Sequence, residues 1–252
     1  MNHSLDVLLS TAASTLRGWR GLRGSTVVEP PAQPLVLFER EDGLESRLVR
    51  EALTELNLDA DIFPCPLDGE RFLPALQQAS GGVRIPFLLD PNNGEQHVGA
   101  DAIVGYLFRR YDGGRVPRAL RPSLANMALS GLATAARLRG RLHAKPSRPA
   151  GQALTLYSFE SSPFSRLVRE RLCELELPYH LVNLGKQQWA DMGPARFRFS
   201  LGQYTPLPDT KRDAFLQRHG RVQVPFLIDP NTDTEMFESA DIVAYLDRRY
   251  AA

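Results

Sequence analysis

Apolar positions along the second half of the chain change period in a fixed order. Residues 154–159 alternate as a half-buried strand does, and Leu167, Val168, Leu172 and Leu175 then recur at helical spacing until Pro178, which cannot continue a helix. A second apolar run at 179–184 predicts another strand, and strand, helix, strand in that order predicts a right-handed parallel crossover. A helical stretch at 213–219 precedes a strand at 224–228, which the turn signal Asp229-Pro230-Asn231 ends. A short strand at 235–237 would return beside it as a hairpin. An amphipathic helix at 239–250, with Ile242, Val243, Tyr245 and Leu246 inward, closes the series.

The same series occurs earlier. Leu35-Val36-Leu37-Phe38 leads to Ser46-Arg47-Leu48-Val49-Arg50-Glu51, and 119 positions on Leu154-Thr155-Leu156-Tyr157 leads to Ser165-Arg166-Leu167-Val168-Arg169-Glu170. Ile85-Pro86-Phe87-Leu88 returns 139 positions on as Val224-Pro225-Phe226-Leu227, so the second unit carries 20 more residues between Leu184 and Val224. A fainter echo precedes each unit: Leu9, Ser10, Ala13 and Arg17 correspond, 120 positions on, to Leu129, Ser130, Ala133 and Arg137. The reading is a leading helix and linker at 1–33, a first α/β domain at 34–112, a helical basic linker at 113–152 and a second α/β domain at 153–252. The apolar stretch at 122–142 predicts a helix too apolar on one face to stand free in solvent. With its echo at 8–16, it is expected to pack in a pseudo-symmetric position and wall a cleft.

Length supports two domains: 252 residues exceed one small core. A formal charge of +1 is too balanced for binding nucleic acid by overall charge. Two cysteines, Cys65 and Cys173, with no CxxC pair and no His cluster exclude a disulfide framework and a zinc site. The arginines near the N-terminus follow its apolar stretch instead of preceding it, unlike a secretory signal, and no run of about 18 apolar residues suits a membrane span. A soluble, cytoplasmic protein is expected.

Three segments carry candidate chemistry. Ser161-Ser162-Pro163-Phe164-Ser165 starts a helix, and capping alone accounts for Ser162; a hydroxyl beside free N–H groups at a helix start also forms a site for an anion or thiolate. Val224-Pro225 at a strand start would, with a cis peptide, leave the Val224 backbone to pair with an extended ligand. Glu238-Ser239 precedes the last helix, where Ser239 is a cap or a carboxylate ligand and Glu238 a partner for an ammonium.

The second unit resembles the N-terminal, glutathione-binding domain of glutathione transferases, a thioredoxin and glutaredoxin relative. The shared pattern is S-S-P-F-S, then V-P-F-L, then E-S-A-D-I-V-A-Y-L over roughly 153–250, while the first unit matches more weakly. The resemblance implies two tandem thioredoxin-like domains, each a mixed four-stranded sheet with flanking helices preceded by an extra helix. It implies glutathione as co-substrate or ligand and a transferase-like enzyme that activates its thiol for attack on a small electrophile. The alternative is a non-catalytic glutathione-binding or assembly module. By the resemblance, Ser162 contacts the glutathione sulfur as the catalytic residue, Val224 pairs with the cysteinyl part, Pro225 is the cis proline, and Glu238 with Ser239 holds the γ-glutamyl end. Lys211 is expected at the glycyl carboxylate, and Phe164 and Tyr157 either line the apolar side of the thiol or belong to the core. Partners are glutathione and an unidentified electrophile, with a homodimer as candidate assembly and the second substrate between the two units and the 130s helix.

Departures from the pattern matter. Serine at 162 and 165 excludes disulfide exchange by this loop. The first unit has Gly43 for Ser162 and Gly99-Ala100 for Glu238-Ser239, which makes it a degenerate structural copy, and Cys65 is incidental. By the resemblance an all-helical domain would follow this one, and this chain is expected to lack it. From 113 to 159 there is no acidic residue and eight basic ones (among them Arg115, Arg118, Arg121, Arg137, Arg139 and Arg141), a solvated linker or a surface for anions.

Overall fold

The computed structural model describes residues 3–25, 30–137, 142–195, 198 and 203–252. Helix α1 (His3–Leu16) leads into the first unit: β1 (Leu35–Glu39), α2 (Leu44–Glu55), β2 (Ala60–Pro64), α3 (Leu73–Ser80), β3 (Phe87–Asp90), β4 (Glu95–Val98) and α4 (Ala100–Leu107). Helix α5 (Leu124–Ala135) leads into the second: β5 (Leu154–Ser158), α6 (Pro163–Glu174), β6 (Tyr179–Asn183), α7 (Lys211–His219), β7 (Phe226–Asp229), β8 (Thr234–Phe237) and α8 (Ser239–Tyr250). Within each unit the first two strands run parallel through a helical crossover and the last two form an antiparallel hairpin, the thioredoxin-like order.

The two sheets are one. β2 pairs antiparallel with β6, Asp61 opposite His180 and Ile62 opposite Tyr179, giving eight strands in the order β4-β3-β1-β2-β6-β5-β7-β8. A buried apolar cluster from both units, including Leu53, Leu58, Ile62, Leu172, Leu177 and Tyr179, spans the junction. Each unit has a smaller cluster around its α3 or α7, with Phe38, Leu76 and Phe87 in the first and Leu184, Phe215 and Phe226 in the second. Tyr157 packs against Phe215, His219 and Phe226 in the latter, the core alternative of the two expected for it.

A pseudo-twofold relation organises the molecule, and the leading helices cross over under it. α1 packs on α6 of the second unit, while α5 packs on α2 of the first and on α1. Arg17 grips the Glu51 carboxylate and donates to the Asn126 carbonyl; Arg137 grips Glu170 and donates to the Asp6 carbonyl at 2.7 Å. Ser10 Oγ donates to the Pro163 carbonyl and Ser130 Oγ to that of Leu44. The short parallel bridges Arg23 with Lys186 and Leu67 with His143 obey the same relation.

At its centre lies a buried ionic cluster. Arg50 bonds Glu39, Glu41 and Glu160, and Arg169 bonds Glu41 and Glu160, all five side chains at most 2% exposed. The cleft expected between the units is therefore filled by charge pairs, and the 130s helix sits over the first unit's α2 instead of the second unit's loops. The helix expected at 122–142 starts at Leu124, where Ser123 Oγ accepts the Asn126 N–H, and ends at Ala135; residues 138–141 lie outside the described residues. β7 begins at Phe226 and not at Val224, since Pro225 has no N–H to donate to a ladder.

Candidate functional site

Register alone brings the three segments together. Tyr157 of β5 lies opposite Phe226, and Phe226 lies opposite Phe237. The loop after Ser158, the Val224-Pro225 step and Glu238-Ser239 therefore share one end of the sheet. The peptides Ile85-Pro86 and Val224-Pro225 are both cis.

Ser162 caps α6, its Oγ accepting the Ser165 N–H at 3.2 Å and the Ser165 hydroxyl at 2.9 Å. It is only 2% exposed, because α1 and the turn after it lie across the loop. Ser14 Oγ donates to the Ser161 carbonyl and Ser10 Oγ to that of Pro163, each at 2.8 Å, while the Gly21 carbonyl accepts the Ser161 N–H. The wall of this site is thus the leading helix of the other unit. His3 extends the contact, its Nε2 lying 3.4 Å from the Ser239 hydroxyl.

Glu238 adopts φ of +69°, a left-handed conformation uncommon for a non-glycine, and accepts a hydrogen bond from Gln223 Nε2 at 2.7 Å. Gly99 occupies the same place in the first unit with φ of +82°.

The two units differ most in what meets the start of their last helix. In the first, the Glu45 carboxylate accepts the Ala100 backbone N–H at 2.9 Å, with the Arg84 guanidinium beside Gly99. The helix start that could hold a ligand carboxylate holds one of the chain's own. In the second, the residue equivalent to Glu45 is Phe164, 42% exposed, and that equivalent to Arg84 is Gln223. Phe164 has no carboxylate to place against the Ser239 N–H as Glu45 does against that of Ala100.

Lys211 does not join the site. Its ammonium donates to the Asn57 carbonyl and pairs with Asp59, both at 2.6 Å, tying α7 to the first unit. Beside Gln223 there is instead a cavity of about 380 Å³ lined by Arg198, Tyr204 and Arg221. Arg198 lies over the Tyr204 ring and Arg221 over that of Phe237. Lys186 donates to the Gly193 carbonyl, its ammonium brought down to about 8 by burial and by the charges of Arg212 and Arg198. Positive charge is concentrated where the 20-residue insertion folds back; residues 196–197 and 199–202 of that insertion lie outside the described residues.

Burial pushes the Cys65 thiol up to about 12 and that of Cys173 well above its ordinary value, so neither is a nucleophile. Among the described residues no group of three His, Cys, Asp or Glu side chains could hold a metal ion, and no helix is long and apolar enough to cross a membrane.

The family of the glutathione S-transferase N-terminal domain matches residues 37–115 and again 156–252, well over half of the chain, and the chain belongs to this family. No curated protein and no solved structure matches it.

Sequence reasoning placed Ser162, Val224, Pro225, Glu238 and Ser239 at one sheet end. It missed Glu45 and Gln223, for which the offset between the repeats is the available signal, and also His3, Ser10 and Ser14.

Proposed function

We propose that the second unit binds glutathione and that the first does not. The observation that supports this reading is the exchange of Glu45 for Phe164: the first unit fills its own carboxylate position and the second leaves it to a ligand. Ser239 would donate its hydroxyl and backbone N–H to the γ-glutamyl carboxylate at the start of α8, and Glu238, steadied by Gln223, would pair with the ammonium. The Val224 backbone would pair with the cysteinyl part, with Phe164 alongside. The glycyl carboxylate would reach toward Arg198 and Arg221, which takes over the role first given to Lys211.

The reaction proposed for the site is thiol activation. A free thiol has a pKa of about 8.5, and lowering it by one unit takes about 1.4 kcal/mol. That is within reach of one hydrogen bond to a charged sulfur together with a helix N-terminus. The Ser162 hydroxyl accepts twice from Ser165 and keeps its own hydrogen to donate. It would hold the thiolate and not itself attack. The electrophile would enter between Phe164 and α1.

The burial of Ser162 beneath α1 favours the second reading, a module that holds glutathione without turning it over. Calorimetric titration with glutathione beside a turnover assay with an aromatic electrophile tests both. Binding with conjugation supports the enzyme, binding alone the module, and no binding overturns the proposal.

A further inference from the structure

A second basic cavity lies in the first unit, away from Ser162, and none of the chemistry above uses it. α4 closes in a π-helical turn, Phe108–Asp112, where the equivalent α8 runs on as an α-helix to Tyr250. Such turns interrupt helices often at functional positions. Gly113, at φ of +65°, then reverses the chain so that residues 115–122 come back past α4. The result is a cavity of about 350 Å³ lined by Arg109, Arg115 and Arg121, with Asp101 and the apolar Val116 and Pro122.

Three details show that this cavity is built. Gly105, where the second unit has Ala244, lets the Arg109 guanidinium lie across α4, since a Cβ there would come 2.9 Å from its Nη1. Arg121 Nε donates to the Val116 carbonyl at 3.1 Å, bracing its side chain against the opposite wall. Asn126 Nδ2 donates to the carbonyls of Arg118 and Arg121, which pins the returning loop to α5. Among the described residues no carboxylate pairs with Arg109, Arg115 or Arg121.

Three guanidinium groups face Asp101 in the lining and the Asp112 carboxylate against Gly114 of the wall, which leaves a formal excess of one positive charge, and planar forks of N–H donors match the oxygens of a tetrahedral dianion. The volume exceeds that of a bare phosphate and has an apolar side. We infer that this cavity binds a phosphate monoester, the phosphoryl group on Arg109, Arg115 and Arg121 and its organic substituent against Val116 and Pro122.

The phosphoryl group could come from a soluble ester or from the headgroup of phosphatidic acid, and the test separates the two. Phenyl phosphate is titrated calorimetrically into the full chain, and sedimentation with phosphatidylcholine vesicles is measured with and without phosphatidic acid. Arg109→Gln/Arg115→Gln/Arg121→Gln should weaken whichever interaction is found by at least about tenfold. Asp101→Asn should strengthen it, and Arg118→Gln, a charge change outside the cavity, should leave it within about twofold. All these side chains are exposed, so the variants should melt as the parent does. Phenyl phosphate binding lost in the triple variant assigns a soluble ester, and vesicle binding alone, lost in the same way, assigns the lipid. Failure of both probes to bind overturns the inference, as does equal weakening by Arg118→Gln.

Discussion

The Glu45 carboxylate stands 2.9 Å from the Ala100 backbone N–H, a ligand-like contact made within the chain. Placing the same plug in the second unit should close it. Phe164→Glu, at an exposed position, should leave the fold intact and weaken glutathione by more than about tenfold in a calorimetric titration, because the new carboxylate takes the α8 start. Unchanged affinity would mean that the γ-glutamyl end binds elsewhere.

Ser162→Ala removes the acceptor for the Ser165 N–H. Loss of such a cap should cost about 1 kcal/mol, read as a lower melting temperature. If the hydroxyl also holds the sulfur, the thiolate absorbance of bound glutathione should move to higher pH. A lower melting temperature with an unmoved titration would assign the sulfur to backbone N–H groups.

Stability should respond to pH through the central cluster, where Glu39, Glu41 and Glu160 outnumber Arg50 and Arg169 by one. Burial raises Glu39 from the ordinary 4.5 to about 7, against the pull of Arg50. Burial also acts on Glu160, but Arg169 and then Arg50 override it and hold this carboxyl near 2. The folded state therefore keeps a proton on Glu39 that the unfolded chain releases above about pH 4.5, and this group's contribution declines from there as pH rises through 7. Glu160 contributes above 4.5 and loses its contribution as pH falls toward 2. Thermal melts should show Glu39→Gln flattening the decline between pH 5 and 8. Glu160→Gln should lower the melting temperature at pH 7 and flatten the acid limb.

Removal of residues 1–24 tests the crossed helices. It strips Arg17 from Glu51 and uncovers Ser161 and Pro163, and an unpaired buried charge alone costs about 3–5 kcal/mol. The truncated chain should unfold at lower denaturant, and Arg17→Met/Glu51→Leu in the full chain should recover part of what Arg17→Met loses. An unchanged midpoint after truncation would make α1 dispensable.

The strands, helices and turn residues were legible because local periodicity sets them: α8 begins and ends at 239 and 250 as expected. The joining of the two sheets was not, since β2 and β6 carry nothing that distinguishes a paired edge from an open one. The repeated Ser-Arg-Leu-Val-Arg-Glu segment marked the two units but not the burial of its charges. Arg47, Arg50 and Glu51 are at most 2% exposed, and much of what receives them is remote in sequence: the Ser130 carbonyl for Arg47, Glu160 beside Glu39 and Glu41 for Arg50, and Arg17 for Glu51. Arg137, counted in a basic linker, is buried on Glu170 for the same reason. Lys211 was misassigned because Asp59, its partner, lies 152 positions away.

The crossing of α1 onto α6 also bears on synthesis. This helix leaves the ribosome well before its docking site, since Ser161, Pro163 and Arg166, which receive it, follow about 150 residues later. At roughly 5–20 residues per second that is an interval of about 8–30 s. During it Ser10, Ala13 and Ser14, fully buried in the finished protein, have no docking surface. The nascent chain thus carries α1 with its docking face uncovered until its second half has emerged.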